Sequence, residues 1–315
     1  MHTLQPTPSL SVVVCTLNRC SQLKRCVDVL LSVSTDRDWE IVIVNNGSTD
    51  DTSDYLASID QKYFGRVKVT ATLEPRRGLS MARNKGWQTA KGEIISFTDD
   101  DCYVSKDYVD SIIKVFHDSS NIGFSAGRIL LFDPLDYRIT IYESKNRRDF
   151  PPLTFIAAGE LQGANMAFKK KVLERIGGFD ERLGAGTPFP AEDIDAAAAA
   201  LWAGFAGVFD PGPVVYHHHG RRTEREAQEL MRGYDAGRGA YYIKYIFRKD
   251  SRPVYTRAWI RSIRNDWGQA FKNYAGALVR GRIPQPALFR WRSIRELSSG
   301  MRFAIRCALE NKNSP

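Results

Sequence analysis

Three consecutive carboxylates, Asp99-Asp100-Asp101, close an apolar, β-prone run, Ile94-Ile95-Ser96-Phe97. Adjacent anions repel one another, so a chain that gathers them at a strand end needs a compensating cation, most naturally a metal ion holding a ligand's phosphates. A second acidic group, Glu192-Asp193-Ile194-Asp195, opens an alanine-rich segment, where a helix dipole would favour acids in the first turn on structural grounds alone. His217-His218-His219 follows a third apolar run, and alternation along an extended segment puts His217 and His219 on one face.

The elements that must position these groups follow from hydrophobic periodicity. Leu10 to Cys15 is a continuous apolar run, and Arg19 to Val33 sets Leu23, Cys26, Val27, Leu30 and Leu31 on one helical face. Glu40 to Val44 reads as a second buried strand, after which Ser48 or Asp50 can cap a helix running to Ile59. Val67 to Leu73 is a third strand, Gly78 to Ala90 a helix with Leu79, Ala82 and Trp87 available for packing, and Ile94 to Phe97 a fourth strand. This alternation implies an α/β class, a Rossmann-like, mostly parallel sheet flanked by helices, with ligands bound beyond the carboxyl ends of the strands. Polar residues cluster at those ends: Thr16, Asn18 and Arg19 after the first, Asn45 and Asn46 after the second, Glu74, Arg76 and Arg77 after the third, and the aspartates after the fourth.

From Asn121 to Leu161 the pattern turns irregular, broken by Pro134, Pro151 and Pro152, which predicts a loop-rich insertion. Gly163 to Phe168 reads as a strand and Lys170 to Ile176 as a helix stopped by Gly177-Gly178. Leu183 to Pro190 reads as a flexible loop, Glu192 to Gly204 as a helix, and Pro211 to Tyr216 as a last strand. Beyond Arg221 the chain reads as helices.

A length of 315 residues suits one large or two modest domains, and hydrophobic and charged fractions of 43% and 26% place the chain among globular proteins. The longest apolar candidate, Ala196 to Phe209, is short of the roughly 18 residues that span a bilayer. Met1 to Leu10 lacks the basic start and apolar core of a secretory signal, so the expected location is the cytoplasm. Cys15, Cys20, Cys26, Cys102 and Cys307 have no paired spacing and read as free thiols. Charge is uneven: residues 221–315 hold 21 Lys+Arg against 8 Asp+Glu, a net +13, whereas residues 1–220 carry −4. Trp259, Trp267, Phe271, Tyr274, Phe289 and Trp291 lie among those charges. Such a tail either packs as a solvated helical face or meets an anionic membrane surface. The absence of GxGxxG after the first strand excludes a dinucleotide-binding oxidoreductase, and no nucleic-acid-binding motif is present.

Seven motifs in order carry a family resemblance: Val13-Val14-Cys15-Thr16-Leu17-Asn18-Arg19, Val42-Ile43-Val44-Asn45-Asn46-Gly47-Ser48-Thr49-Asp50, Gly78-Leu79-Ser80-Met81-Ala82-Arg83-Asn84-Lys85-Gly86, Phe97-Thr98-Asp99-Asp100-Asp101, Gly163-Ala164-Asn165-Met166-Ala167-Phe168, Gly177-Gly178-Phe179-Asp180 and Glu192-Asp193. From about Leu10 to Tyr245 the chain resembles the inverting family-2 glycosyltransferases with the GT-A fold. The resemblance implies a GT-A catalytic domain over 1–220, its nucleotide-sugar half about 1–105 and its acceptor half about 106–220, with a basic helical region over 221–315. It implies transfer of a sugar from a nucleotide-diphosphate donor to a hydroxyl of a glycan or lipid-linked acceptor in cell-surface polysaccharide synthesis, with Mn²⁺ or Mg²⁺ as cofactor.

By the same resemblance, Asp99 and Asp101 take the outer positions of a DxD motif, Asp101 on the metal and Asp99 on the ribose or bridging. His217, with His219 as second choice, completes the metal site. Asp193, second member of the Glu192-Asp193 pair, is the implied general base, with Asp195 behind it. Thr16, Asn18, Arg19, Asn46 and Asp100 would serve the nucleotide, Arg83 would reach phosphate, and Gly163, Ala164 and Asn165 would shape the sugar pocket. Many relatives carry Asp-Asp where this chain has Asn45-Asn46, so the base read by the site stays open. Arg221-Arg222-Thr223 would close over the donor phosphates. The charge and aromatics of the tail predict a peripheral contact with the inner face of the plasma membrane, where lipid-linked acceptors reside. The alternatives are a nucleotide-sugar binding protein without turnover and a basic nucleic-acid-binding protein.

Overall fold

Strands that are apolar along their whole length are buried on both faces, as a parallel sheet covered by helices requires. The computed structural model describes residues 8–119, 121–280 and 292–313 of the chain; Phe289 and Trp291 lie outside them. It divides into two compact units, Met1–Thr187 with Glu192–Ala227, and Pro188–Ala191 with Gln228–Pro315.

In the first unit the strands are β1 (Leu10–Thr16), β2 (Trp39–Asn45), β3 (Tyr63–Phe64), β4 (Val67–Leu73), β5 (Ile94–Asp99), β6 (Cys102–Val104), β7 (Ile122–Leu131), β8 (Arg148–Phe150), β9 (Met166–Lys169) and β10 (Ala206–His217). They form one sheet in the order β3-β4-β2-β1-β5-β9-β7-β10-β6, with β8 paired to β10. β4, β2, β1 and β5 are parallel neighbours, as the alternating pattern implies. Helix α1 (Cys20–Leu31) buries Leu23, Cys26, Val27 and Leu30, the face expected from its spacing. Helices α2 (Thr52–Ile59) and α3 (Leu79–Thr89) follow β2 and β4. A Cβ on Gly86 would lie 2.4 Å from Val13 Cγ1, so glycine is what lets α3 settle on β1. The carboxylate that organises the start of α2 is that of Asp50, whose Oδ1 accepts from the Thr52 amide and hydroxyl.

The structure departs from the sequence reading in its second half. Helix α4 (Tyr108–Asp118) and strand β6 were not anticipated, and the expected insertion from Asn121 to Leu161 contains the ten-residue β7. Gly123, Ser125, Gly127 and Arg128 hide that strand by interrupting its apolar pattern, yet the small residues serve packing. A Cβ on Gly127 would meet the Pro213 carbonyl oxygen at 2.3 Å. Gly163–Asn165 is a 3-10 turn, so only Met166–Lys169 of that segment is strand, and β9 runs antiparallel to both β5 and β7. β10 begins five residues before the expected strand, and its ladder shifts register between Phe209 and Val214, where Pro211, Gly212 and Pro213 cannot sustain regular pairing.

After β9 come α5 (Lys170–Ile176), closed by Gly177 at φ 77°, and α6 (Glu192–Trp202). The loop between them is pinned rather than loose. Ser80 Oγ donates to the Leu183 carbonyl at 2.6 Å and the Leu79 amide donates to that of Ala185 at 2.9 Å.

Helix α7 (Glu224–Phe247) leads into the second unit, which contains α8 (Arg252–Val279) and α9 (Arg292–Asn313). Its core is aromatic: Tyr241 and Tyr255 hydroxyls lie 2.9 Å apart, and Tyr242 stacks on Trp259 at 5.4 Å. Helix α9 buries Phe303 together with polar side chains. Ser293, Glu296 and Ser299 are buried, Glu296 accepting from Trp259 Nε1 at 3.1 Å, while Ile294, Leu297, Met301, Ile305 and Leu309 are exposed. No described helix is long and apolar enough to cross a membrane.

Candidate active site

The carboxylate triplet begins on the last residue of β5, at the carboxyl edge of the parallel strands. The chain then doubles back: β6 pairs antiparallel with β10 in a register that sets Cys102 opposite His217, and the His218 amide donates to the Asp101 carbonyl at 2.9 Å. This register brings together residues 116 positions apart in sequence. His217 Nε2 lies 3.3 Å from Asp101 Oδ1, and ligand atoms of Asp99, Asp101, Cys102 and His217 fall within 4.8 Å of one another. Thr140, which the sequence reading passed over, sits at φ 56° with its Oγ1 3.2 Å from His217 Nδ1. Because that hydroxyl donates to the Ile139 carbonyl at 2.6 Å, it accepts from Nδ1–H, which directs Nε2 at the carboxylates.

Two cations balance the triplet. Arg19 Nη1 lies 3.0 Å from Asp100 Oδ1 and 2.9 Å from Asp101 Oδ2, and Thr16 Oγ1 donates to Asp100 Oδ2 at 2.7 Å. Burial pushes the Asp100 carboxyl up to about 6 against the pull of Arg19. Burial also raises Asp101, but hydrogen bonding to His217 and the charges of His217 and Arg19 outweigh it and hold this carboxyl below its ordinary range. His217 is correspondingly raised: burial opposes its charge, and the bond to Asp101 more than offsets that. Burial keeps the Cys102 thiol well above its ordinary value, so it stays protonated and the oxygen and imidazole donors define the cluster.

A second line of contacts runs from the triplet to the start of α6. Arg83, 3% exposed, directs Nη2 to Asp99 Oδ1 at 3.4 Å and Nη1 to Glu192 Oε1 at 2.7 Å. A Cβ on Gly163 would lie 2.2 Å from Arg83 Nη2, and the Gly163 amide donates to Asp193 Oδ2 at 2.8 Å. Asp193, Gly163, Arg83 and Asp99 are thus consecutive links, one side chain or backbone group apart. Burial pushes the Glu192 carboxyl up to about 7; Arg83 pulls it down and Asp193 adds to the rise.

The family model described as "Glycosyl transferase family 2" matches residues 11–177, more than half of the chain. The chain belongs to glycosyl transferase family 2. Its fold is that of the mannosyltransferase PcManGT from Pyrobaculum calidifontis, solved with GDP-Man and Mn²⁺, at a TM-score of 0.64 and 19% identity over 96% of this chain and 88% of that one. Residues 1–349 of Staphylococcus aureus TarS, in complex with UDP-GlcNAc, give a TM-score of 0.55 and 14% identity over 94% and 92% of the two chains. Chondroitin synthase of Pasteurella multocida (strain Pm70) is 34% identical over 109 residues, 35% of this chain and 11% of that enzyme. Such curated relatives are longer proteins, and the match spans a third or less of their length.

In this family-2 transferase several side chains expected at the ligand face the backbone instead. Asn46 donates to the carbonyls of Glu74 and Arg76 at 3.0 and 2.7 Å and accepts from the Gly78 amide, so its amide braces two loops and has no edge left for a base. Asn165 likewise donates to the carbonyls of Arg128 and Pro213. Asn18, at φ 55°, accepts from the Thr49 amide at 2.7 Å. His219 is outside the cluster: its Nε2 lies 2.9 Å from the Tyr137 carbonyl and its Nδ1 accepts from the Arg221 amide, so both ring nitrogens are committed. Arg83 links carboxylates where it was expected to meet phosphate, and Arg222 pairs with Asp133 at 2.7 Å. Asp195 is 2% exposed, whereas Asp193 is half-buried and accessible. Ala164, beside Gly163, is buried under the same segment.

Asn46→Asp replaces the double donor with a carboxylate facing two carbonyls. It is expected to lower unfolding free energy by about 1–3 kcal/mol, measured as a shift of the urea midpoint.

Proposed function

We propose that this chain is a metal-dependent, inverting transferase that moves a sugar from a nucleotide-diphosphate donor to a hydroxyl of a glycan or lipid-linked acceptor. Asp99, Asp101 and His217 offer the oxygen and imidazole donors suited to Mn²⁺ or Mg²⁺, which fits the chemistry of their cluster. When bound, the ion would neutralise charge growing on the diphosphate leaving group. Asp193 takes the proton of the acceptor hydroxyl while its oxygen bonds to the anomeric carbon and the bond to the diphosphate oxygen breaks. A single displacement with one base inverts the anomeric centre. Arg19 and Thr16 hold Asp100 and Asp101 in place, and Arg83 keeps Glu192 and Asp99 paired, so the carboxylates are set before substrate arrives.

The observation that carries this reading is the series Asp193–Gly163–Arg83–Asp99, which joins the basic carboxylate to the metal-ligand cluster. The relation to chondroitin synthase supports a glycan acceptor, and solved neighbours holding GDP-Man and UDP-GlcNAc define a donor panel. Thermal melting of the chain with uridine, guanosine and thymidine diphosphate sugars, each with Mn²⁺, Mg²⁺ or chelator, is expected to show one donor that stabilises only with an ion. His217→Ala is expected to weaken the Mn²⁺ dependence of that stabilisation by about 10-fold or more. Absence of stabilisation by every donor with either ion would sink the proposal, and release of free sugar or transfer product separates turnover from binding alone.

A further inference from the structure

The second unit buries an aromatic core but turns part of its apolar surface outward. On α8, Ile260, Phe271, Tyr274 and Leu278 are exposed and recur at spacings of eleven, three and four, which aligns them on one stripe. Phe271 is 73% exposed. The outward stripe of α9 has the same spacing logic, with Met301 and Ile305 61% and 60% exposed. Phe303 anchors α9, buried and edge-on to Phe189 at 5.3 Å, while the isoleucines and leucines of its outer stripe face water and form an apolar patch open to another surface.

Charge specifies which surface. Arg257, Arg261 and Arg264 follow the i, i+4, i+7 pattern along the flank of the α8 stripe, beside Ile260 and Asn265 on an open face of the helix. None of the three has an ion-pair partner among the described residues. On α9, Arg302 and Arg306 flank the apolar stripe in the same way, Arg306 beside Glu310. Helix α8 carries five Lys or Arg against one Asp. Unpaired arginines around an aliphatic side chain, bordering a stripe with Phe and Tyr, match the boundary between anionic headgroups and acyl chains. The forked guanidinium binds phosphate and the long stem packs on the apolar side.

We propose that α8 and α9 form a bilayer-docking surface on which the stripes enter the acyl boundary of an anionic membrane and the row Arg257, Arg261 and Arg264 binds lipid phosphate. A nucleic acid would match the charge but would leave Ile260, Leu278, Ile305 and Leu309 without apolar contact. The inference goes beyond the transferase reading and is independent of it, because its test measures binding and not turnover.

The test is co-sedimentation of the full chain with vesicles of phosphatidylcholine alone or mixed with phosphatidylglycerol. Binding is expected only with the anionic lipid and to fall as salt rises. The triple variant Arg257→Glu/Arg261→Glu/Arg264→Glu is expected to lower the partition coefficient on the order of 100-fold. A separate variant, Phe271→Ser/Leu278→Ser, is expected to weaken binding without removing its salt dependence. Both variants are checked for a wild-type melting transition, and Phe271 and Leu278 are exposed enough to be replaced without opening the core. Failure of the wild-type chain to sediment with anionic vesicles would overturn the proposal. So would a stripe variant that abolishes self-association in sedimentation velocity while vesicle binding stays unchanged, since the occupant would then be a second copy. Stabilisation by inorganic phosphate or by DNA without any vesicle binding would overturn it equally.

Discussion

Asp193→Asn is expected to lower kcat by about 10²–10⁴-fold while leaving metal-dependent donor stabilisation unchanged. The amide retains an oxygen that can accept from the Gly163 amide, as Asp193 Oδ2 does at 2.8 Å, so the contact between α6 and the Gly163 turn survives. What is lost is the lone pair able to take a proton from the acceptor. In the proposed mechanism other residues hold donor and metal, so their binding gauges whether the site is intact. Steady-state transfer with the donor selected by melting, beside that melting shift itself, separates the two effects. Full transfer activity in the Asn variant would remove Asp193 from the base role, and a collapse in Asp195→Asn instead would reassign it.

Arg83→Leu has the largest expected effect on stability, about 3–5 kcal/mol in urea unfolding at neutral pH. Its guanidinium is the shared cation of Glu192 and Asp99, and an aliphatic replacement of similar length leaves the buried Glu192 carboxylate without its partner and takes a cation from Asp99, whose side chain is 32% exposed. The loss should shrink on acidification, because a carboxyl can escape burial as a charge by taking a proton. Glu192 gives the wild-type chain a pH dependence of its own. Its carboxyl is raised from 4.5 to about 7, so between those values the folded chain holds a proton that the unfolded chain releases. Its contribution to stability is therefore complete below the unfolded value and fades as pH rises through about 7. Glu192→Gln is expected to flatten that slope, read as the melting temperature against pH. An unchanged slope would assign it to other groups.

Much of the parallel half of the fold was legible because its elements are periodic and uninterrupted. β1, β2, β4 and β5, and the buried face of α1, follow from runs such as Ile41 to Val44 and from Leu23, Cys26, Val27 and Leu30. β7 was not legible, because Gly123 and Gly127 answer to neighbours distant in sequence, such as Pro213, and so break the local pattern. The DxD triplet was visible as a charge anomaly, but its partnership with His217 depends on the β6–β10 register, which no local signal encodes. Thr140 had no signal, lying in an irregular stretch and acting through a single hydroxyl. Asn46 and Asn165 illustrate a general limit. A polar side chain at a strand end is equally suited to a ligand and to stray backbone carbonyls, and only the fold decides which it meets.

Strand β9 has a mechanical consequence. Being hydrogen-bonded along both edges, to β5 on one side and β7 on the other, it welds the strand that ends in Asp99 to those that lead to His217. Swinging one group of strands away from the other would break ladder bonds, so the sheet acts as a rigid anvil rather than a jaw. The connections above its edge, such as residues 132–140 beside His217, are the parts left outside that brace.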